Sequence, residues 1–287
     1  MQDISFELII KKRLRSFVLI LEKTLPRSVF DTFYKVSFPV YKELVRWLYL
    51  LKGFVNYRIT GDKNRWAMVK SIFSIMPYSL VGVGGLEVTY RTVSDVCKRD
   101  VSGDIVELGV ARGGCAALMA SVMFDKYLCG QMQRNLWLFD SYEGLPDPTD
   151  MDFNSELGDG TGDHVRPLPK GSCLGQLDEV KHLMFNENDF PRDKIEFIKG
   201  WFDKTVPVTK KDIQKIAVLR IDGDWYESTK CCLENLYNKV ASGGYIIVDD
   251  YQSCYGCKRA VDEFVQKNEL YPNIKLDGRG GCYFEKA

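Results

Sequence analysis

Hydrophobic positions near the N-terminus recur at intervals of three and four residues, as they do on one face of a helix. These positions are Phe6, Ile9, Ile10, Leu14, Phe17, Val18 and Leu21. Basic residues such as Lys11 and Arg15 lie on the other side, so the pattern predicts an amphipathic helix that ends near Pro26. A second apolar stretch, Val40 to Leu51, predicts a helix that stops at Gly53.

These two patterns indicate a helical N-terminal extension of residues 1–75. Its apolar faces need a partner, so we expect the extension to pack on the protein's own core, to form a homodimer, or to cover a substrate as a lid. A peripheral membrane contact through the basic amphipathic helix is the alternative.

From about residue 85 the pattern changes to short apolar strands that alternate with longer helical stretches. The predicted strands are Asp104–Leu108, Leu136–Asp140, Ile195–Lys199, Ile216–Asp222, Gly244–Asp249, Ile274–Leu276 and Cys282–Phe284. This alternation predicts an α/β domain of residues 76–287, in which a mainly parallel, seven-stranded sheet has helices on both faces. The last two strands flank a glycine-rich turn and are expected to form an antiparallel hairpin.

An insertion of residues 141–193 separates the second strand from the third, and it is longer than a crossover helix requires. Its first half, Asp147 to Lys170, is rich in Gly, Asp and Pro, so we expect a loop that closes over a site. His164 lies in this loop and is a candidate catalytic base, although an exposed histidine without a role is the alternative. His182 falls in a helical stretch and is expected at the surface.

Composition narrows the classes of protein that fit this chain. Lys and Arg number 39 and Asp and Glu number 39, so there is no basic field that would favour nucleic acid as a partner. Nine cysteines form no evenly spaced framework and no leader pattern is evident, so we expect a reduced, cytoplasmic protein. The longest apolar runs, such as Trp47 to Leu51, are far shorter than the ~18 residues that a membrane span needs.

A predicted strand runs into a glycine-rich turn and then a helix at Val106 to Gly114. Gly109 and Gly113 would let a ligand approach the backbone closely. Glu107 at the strand end would repel a pyrophosphate, but it suits a ligand with an amino group or a positive charge. This pattern favours S-adenosylmethionine over NAD, although a structural turn without a ligand explains the glycines equally well.

The next predicted strand ends at Asp140, and Ser141 follows it. A carboxylate at this point can accept hydrogen bonds from both ribose hydroxyls of an adenosine group. Asp140 is therefore a candidate for cofactor binding, with a helix cap or turn former as the alternative.

Acidic residues end two further predicted strands: Asp222 and Asp224 follow one, and Asp249 and Asp250 follow the other. If the two strands are neighbours, these carboxylates converge at one edge of the sheet and repel each other unless a cation lies among them. Oxygen ligands without His or Cys favour Mg²⁺ or Mn²⁺ over zinc. Substrate hydroxyls would take the remaining positions of the ion. Acids that only cap helices or form turns are the alternative.

The chain from about Val81 to its C-terminus resembles the TylF-like family of macrocin and mycinamicin O-methyltransferases, which methylate sugars of antibiotics. Four segments carry the resemblance: VELGVARGG, LFDSYEGLPD, LRIDGDWYESTKCCLENLYNKVASGGYIIVDDY and GCKRAVDEF. It implies a Rossmann-type class I methyltransferase fold that uses S-adenosylmethionine and a divalent metal. It also implies that Asp222, Asp249 and Asp250 hold the metal and that Asp224 is the general base.

The resemblance further implies which residues border the methyl donor. The predicted donor-binding residues are Glu107, Gly109, Arg112, Gly113, Asp140, Ser141, Trp201 and Asp222. Trp201 would lie beside the adenine, with packing in the core as the alternative. Cys254 and Cys257 form a single CxxC, which is weak evidence for zinc, so both are expected to be structural thiols.

Together these features predict a Mg²⁺-dependent enzyme that methylates a hydroxyl of a sugar or a related small molecule in natural-product biosynthesis. One alternative is a methyltransferase-like binding or anchoring protein without catalysis. Another is an NAD-dependent or nucleotide-sugar-modifying enzyme on the same fold.

Overall fold

The computed structural model describes residue 24 and residues 26–130, 134–153 and 167–287. The chain consists of two compact units, which are Met1–Val69 and Lys70–Ala287. The predicted amphipathic helix before Pro26 and the candidate base His164 lie outside the described residues.

Helix α1, at Arg27–Thr60, lies in the first unit, and α2, at Lys63–Ile75, begins in that unit and ends in the second. The prediction that a helix stops at Gly53 is wrong, because α1 continues to Thr60 and ends where Gly61 adopts a left-handed φ of 71°. A Cβ at Gly53 would lie 2.5 Å from Val69 Cγ1, so this glycine allows close packing and does not end the helix.

The second unit is built on a seven-stranded sheet in the order β3-β2-β1-β4-β5-β7-β6. Its strands are β1 Asp104–Leu108, β2 Leu136–Asp140, β3 Ile195–Lys199, β4 Ile216–Ile221, β5 Val240–Val248, β6 Lys275–Leu276 and β7 Cys282–Glu285. The first five are parallel, and the hairpin of β6 and β7 adds two antiparallel strands. The predicted strands and the hairpin are confirmed, although β5 begins at Val240, before its predicted start.

Helices cover the sheet in two groups. The helices are α3 Val83–Lys98, α4 Gly114–Met123, α5 Leu177–His182, α6 Phe202–Thr209, α7 Tyr226–Leu236 and α8 Tyr255–Lys267. Helix α3 packs against α4, while α7 packs against both α6 and α8. Alternate strand residues such as Leu219 and Ile221 join the core beneath α6, α7 and α8. The α/β class and the mainly parallel sheet are therefore as predicted.

The described part of the insertion includes α5 and a short 3₁₀ turn at Asp150–Asp152. Asp152 is buried, and its Oδ1 accepts a hydrogen bond of 2.7 Å from the backbone N–H of Tyr226 at the start of α7. A Cβ at Gly256 would lie 1.9 Å from the same oxygen, so this glycine makes room for the carboxylate. Asp152 thus fixes one end of the insertion to the body of the domain. His182 is exposed at the end of α5, as predicted.

The redox state of two cysteines differs from the prediction. Cys97 and Cys129 form a disulfide, so the prediction that all cysteines are reduced is wrong. The end of α3 and the segment after α4 bring together two cysteines that are 32 residues apart, and no spacing rule predicts such a pair. In the described part of the chain, no helix is long and apolar enough to cross a membrane.

Candidate active site

The pocket lies where the direction of strand connection reverses. The chain runs from β1 outward through β2 and β3, then returns to place β4 on the other side of β1. Ligands of open α/β sheets bind in the crevice at the carboxyl ends of the strands at this reversal. Of the predicted site residues, Glu107, Gly109, Arg112, Asp140, Ser141, Trp201, Asp222, Asp224, Asp249 and Asp250 line this pocket.

A tight turn links β1 to α4 at the base of the pocket. Gly109 has a φ of 95°, and a Cβ there would lie 1.8 Å from the carbonyl oxygen of Asp222. Gly113 has a φ of 84° and is the N-cap of α4. Gly109 therefore lets the end of β1 pass close to the end of β4. A Cβ at Gly113 would lie 2.9 Å from Val180 Cγ1 on α5, so packed protein occupies the space beside this glycine, which does not line the pocket.

Replacing Gly109 by alanine is expected to destabilise the protein by at least about 2 kcal/mol, because left-handed strain adds to the overlap with the Asp222 carbonyl. Urea unfolding measures this effect. Gly171→Ala is the matched control, since Gly171 has a φ of 80° and open space around it. Equal losses for the two variants would mean that the close approach to Asp222 contributes nothing.

Asp140 holds the glycine turn in place. Its Oδ2 accepts hydrogen bonds from the backbone N–H groups of Val110 at 2.7 Å and Ala111 at 2.9 Å. Its Oδ1 accepts from the N–H of Tyr142 at 2.6 Å. Asp140 therefore shapes the pocket whether or not it also accepts from a ribose. Ser141 donates to the carbonyl of Gly144 at 3.0 Å, so it stabilises the turn after β2.

The register of the sheet places Glu107 on β1 directly opposite Arg220 on β4. Both side chains are fully buried, and Arg220 Nη1 donates to Glu107 Oε1 at 3.2 Å. Burial raises the pKa of Glu107 to about 8, although Arg220 opposes the shift. Glu107 Oε2 is buried and accepts no hydrogen bond from the residues that the structure describes, so it is available to a donor group in the pocket.

The predicted acidic cluster is present. Carboxylate oxygens of Asp222, Asp249 and Asp250 all lie within 4.8 Å of one another at the ends of β4 and β5. Asp250 Oδ2 is buried and has no hydrogen-bond partner among the described residues, while Oδ1 accepts from Ser253 at 3.0 Å. Burial, reinforced by neighbouring carboxylates, raises the pKa values of Asp222 and Asp250. Oxygen ligands arranged in this way fit a hard divalent cation.

Sequence reasoning missed the guanidinium at the centre of this cluster. Arg220 donates to Asp222 Oδ2 at 2.8 Å and to Asp249 Oδ1 at 2.7 Å, in addition to Glu107. One buried cation thus fixes the orientation of three carboxylates. The available signal was a charged residue inside the apolar strand Val218-Leu219-Arg220-Ile221, two positions before an acid.

Asp224 follows the cluster with a φ of 55°, which is unusual for a residue with a Cβ. Burial, with smaller effects from Asp222 and Asp249, raises its pKa to about 8.

Two predicted donor-binding residues lie elsewhere along the pocket wall. Trp201 precedes α6, and the exposed Arg112 donates to the carbonyl of Pro77 at 3.3 Å.

Two more pocket residues and one neighbouring thiol were not anticipated in these positions. Arg279 reaches in from the β6–β7 turn and donates to Asp249 Oδ2 at 2.5 Å. Cys173 lines the pocket wall. The buried thiol of Cys254 lies within 4.8 Å of carboxylate oxygens of Asp224 and Asp250, so Cys254 borders the acidic site.

The chain is similar to O-methyltransferases of natural-product pathways. It is 36% identical over 211 residues to demethyldecarbamoylnovobiocin O-methyltransferase of Streptomyces niveus, and the match covers 73% of this chain and 76% of that protein. It is 32% identical over 208 residues to 8-demethyl-8-(2,3-dimethoxy-alpha-L-rhamnosyl)-tetracenomycin-C 4'-O-methyltransferase of Streptomyces olivaceus, covering 71% of this chain and 74% of that protein.

The fold comparison agrees with these sequence matches. The solved structure of the O-methyltransferase NovP superposes with a TM-score of 0.63 at 36% identity, covering 73% of this chain and 82% of NovP. The family model for macrocin O-methyltransferase (TylF) matches residues 53–286. Because this match spans most of the chain, the protein belongs to the TylF family of macrocin O-methyltransferases and is an O-methyltransferase.

Proposed function

We propose that this protein transfers the methyl group of S-adenosylmethionine to a hydroxyl of a sugar or glycosylated natural product, with Mg²⁺ held by Asp222, Asp249 and Asp250. The observation that carries the proposal is the convergence of these three carboxylates within 4.8 Å, beside the glycine turn at Gly109. When bound, the ion supplies a positive charge that binds and acidifies the acceptor hydroxyl.

Two features of the pocket support a methyl donor that carries an amino group and a ribose. The unpartnered Oε2 of Glu107 can accept a hydrogen bond from a ligand deep in the pocket. Gly109, Val110 and Ala111 of the turn line the pocket, and so does Trp201, which can supply aromatic contact to an adenine. We assign donor binding to these residues together with Arg112, Asp140 and Ser141.

Asp224 is our proposal for the group that accepts the proton of the acceptor hydroxyl. Its carboxylate lies in the pocket beside the acidic cluster, and its pKa is raised to about 8 by burial and by nearby acids. A carboxylate with a pKa near neutral pH is a stronger base than an ordinary aspartate. The main contribution of the site is to hold the hydroxyl in line with the donor methyl.

The class of acceptor is inferred from the relatives. One is named for a novobiocin precursor and another for a rhamnosyl tetracenomycin, and both are O-methyltransferases. We therefore propose a sugar hydroxyl as the methylated group. A panel of glycosides and nucleotide sugars, incubated with S-adenosylmethionine and Mg²⁺ and analysed by mass spectrometry, should contain a compound that gains one CH₂.

Metal removal tests the role of the acidic cluster. With an acceptor from this panel, EDTA is expected to lower turnover by about a hundredfold or more, because the hydroxyl is then neither acidified nor held. Excess Mg²⁺ or Mn²⁺ should restore activity. Binding of S-adenosylhomocysteine, measured by calorimetry in EDTA, controls for damage to the donor site. Full turnover in EDTA would remove the metal from the proposal and leave methyl transfer intact.

A further inference from the structure

We propose that the guanidinium of Arg279 competes with the divalent cation for the carboxylate of Asp249, and so weakens ion binding at this site. The inference rests on the proposed metal role of Asp222, Asp249 and Asp250. Arg279 lies on the turn between β6 and β7, in a different part of the chain from the three carboxylates.

The turn between β6 and β7 is built to present Arg279. Asp277 Oδ1 accepts three backbone hydrogen bonds, from Arg279 at 2.7 Å and from Gly280 and Gly281 at 3.0 Å each. Gly278 and Gly280 have φ values of 77° and 146°, which the tight path of the turn requires. A single carboxylate therefore fixes the backbone from which the arginine extends.

A glycine opens the path of the arginine side chain into the site. A Cβ at Gly82, which precedes α3, would lie 2.8 Å from Arg279 Cδ. The guanidinium then donates to the carbonyl of Leu80 at 3.3 Å and to Asp249 Oδ2 at 2.5 Å. About a third of the Arg279 side chain is exposed (36%), whereas Arg220 is fully buried. Arg279 can thus withdraw toward solvent, and Arg220 cannot.

The carboxylate oxygens of the cluster are already largely engaged. Arg220 binds Asp222 Oδ2 and Asp249 Oδ1, and Arg279 binds Asp249 Oδ2. In the described part of the chain, Asp250 Oδ2 has no hydrogen-bond partner. A cation that uses Asp249 must therefore share a carboxylate with two guanidinium groups. Both arginines carry the same sign of charge as the ion, so each lowers its affinity.

The two arginines differ in what their removal would do. Arg220 is also paired with Glu107 in the core, so its charge is needed for the fold. The charge of Arg279 acts on Asp249 from the pocket rim. Removing the Arg279 charge should raise the affinity of the site for a divalent ion by roughly tenfold, because a repulsive charge is lost at close range.

Mn²⁺ binding to the full-length protein tests this competition without using turnover. Isothermal titration after chelator treatment should show roughly tenfold tighter Mn²⁺ binding to Arg279→Gln than to the wild-type protein. Arg91→Gln is the matched control, since Arg91 is an exposed arginine on α3 that pairs with Glu87. Its affinity should equal that of the wild type. Arg279→Lys keeps the charge and should stay within about threefold of the wild type.

Other outcomes of the Mn²⁺ titrations distinguish a failure of the metal site from a failure of the competition. If neither the wild-type protein nor Arg279→Gln binds Mn²⁺, the proposed metal site is contradicted and the competition fails with it. Binding to Arg279→Gln alone supports the competition. Wild-type protein that binds Mn²⁺ as Arg279→Gln does, or more tightly, overturns the competition alone. A loss of S-adenosylhomocysteine affinity in Arg279→Gln, with unchanged Mn²⁺ affinity, also overturns it and assigns Arg279 to the methyl donor.

Discussion

Replacing Arg220 by methionine is expected to destabilise the protein by at least about 3–5 kcal/mol, because buried carboxylates lose their common partner. Glu107 and Asp249 are almost fully buried, and Asp222 is mostly so. Methionine fills much of the same volume, so the loss reports mainly on charge. Urea unfolding of the purified variant measures the change in free energy of unfolding.

The stability that the Arg220→Met variant loses should increase as the pH rises. The pKa of Glu107 is already raised to about 8 in the folded protein, so the folded state binds more protons than the unfolded state between the ordinary carboxyl range and that value. Stability therefore falls as pH rises through this window. Without Arg220 the pKa rises further, so the variant should lose more stability at pH 8 than at about pH 5.5.

A double variant separates charge from packing. Arg220→Met combined with Glu107→Gln should be more stable at pH 8 than Arg220→Met alone, because glutamine has the same volume and is neutral without binding a proton. If the glutamine recovers nothing, lost packing explains the effect of the methionine, and the ion-pair account of this core is wrong.

Replacing Asp250 by asparagine is expected to lower turnover by about a thousandfold, since an amide oxygen carries no full negative charge and holds the ion much less strongly than a carboxylate does. Asp250 is the most direct test among the three acids, because its carboxylate is not bonded to Arg220 or Arg279. The Arg220 contacts should stay intact, and so should the fold. Methyl transfer to an accepted glycoside and Mn²⁺ binding are the two measurements.

The control for this variant is Asp193→Asn, which makes the same chemical change at an exposed position outside the pocket. It should retain normal turnover and Mn²⁺ affinity. Near-normal turnover of Asp250→Asn together with lost Mn²⁺ binding would mean that methyl transfer does not need the ion. Retained Mn²⁺ binding with lost turnover would instead assign Asp250 to the acceptor or to the proton transfer.

The strands and the acidic residues at their ends were predictable because they depend on local patterns. Apolar runs of about five residues, each followed by a glycine or an acid, mark the strands that end at the pocket. Asp222, Asp249 and Asp250 could be placed together because parallel strands end at one edge of the sheet. The helix end at Gly61 could not be read in the same way, since Gly53 offers an equal stop signal.

The α/β architecture, the glycine turn at Gly109 and the convergence of acids at the strand ends could be predicted without a structure, because periodicity and strand polarity are local properties. Tertiary structure decided the pairing of Arg220 with Glu107, which are 113 residues apart, and the approach of Arg279 to Asp249. It also decided that Cys97 meets Cys129. These contacts depend on strand register and on helix and hairpin packing, which no short stretch of sequence encodes.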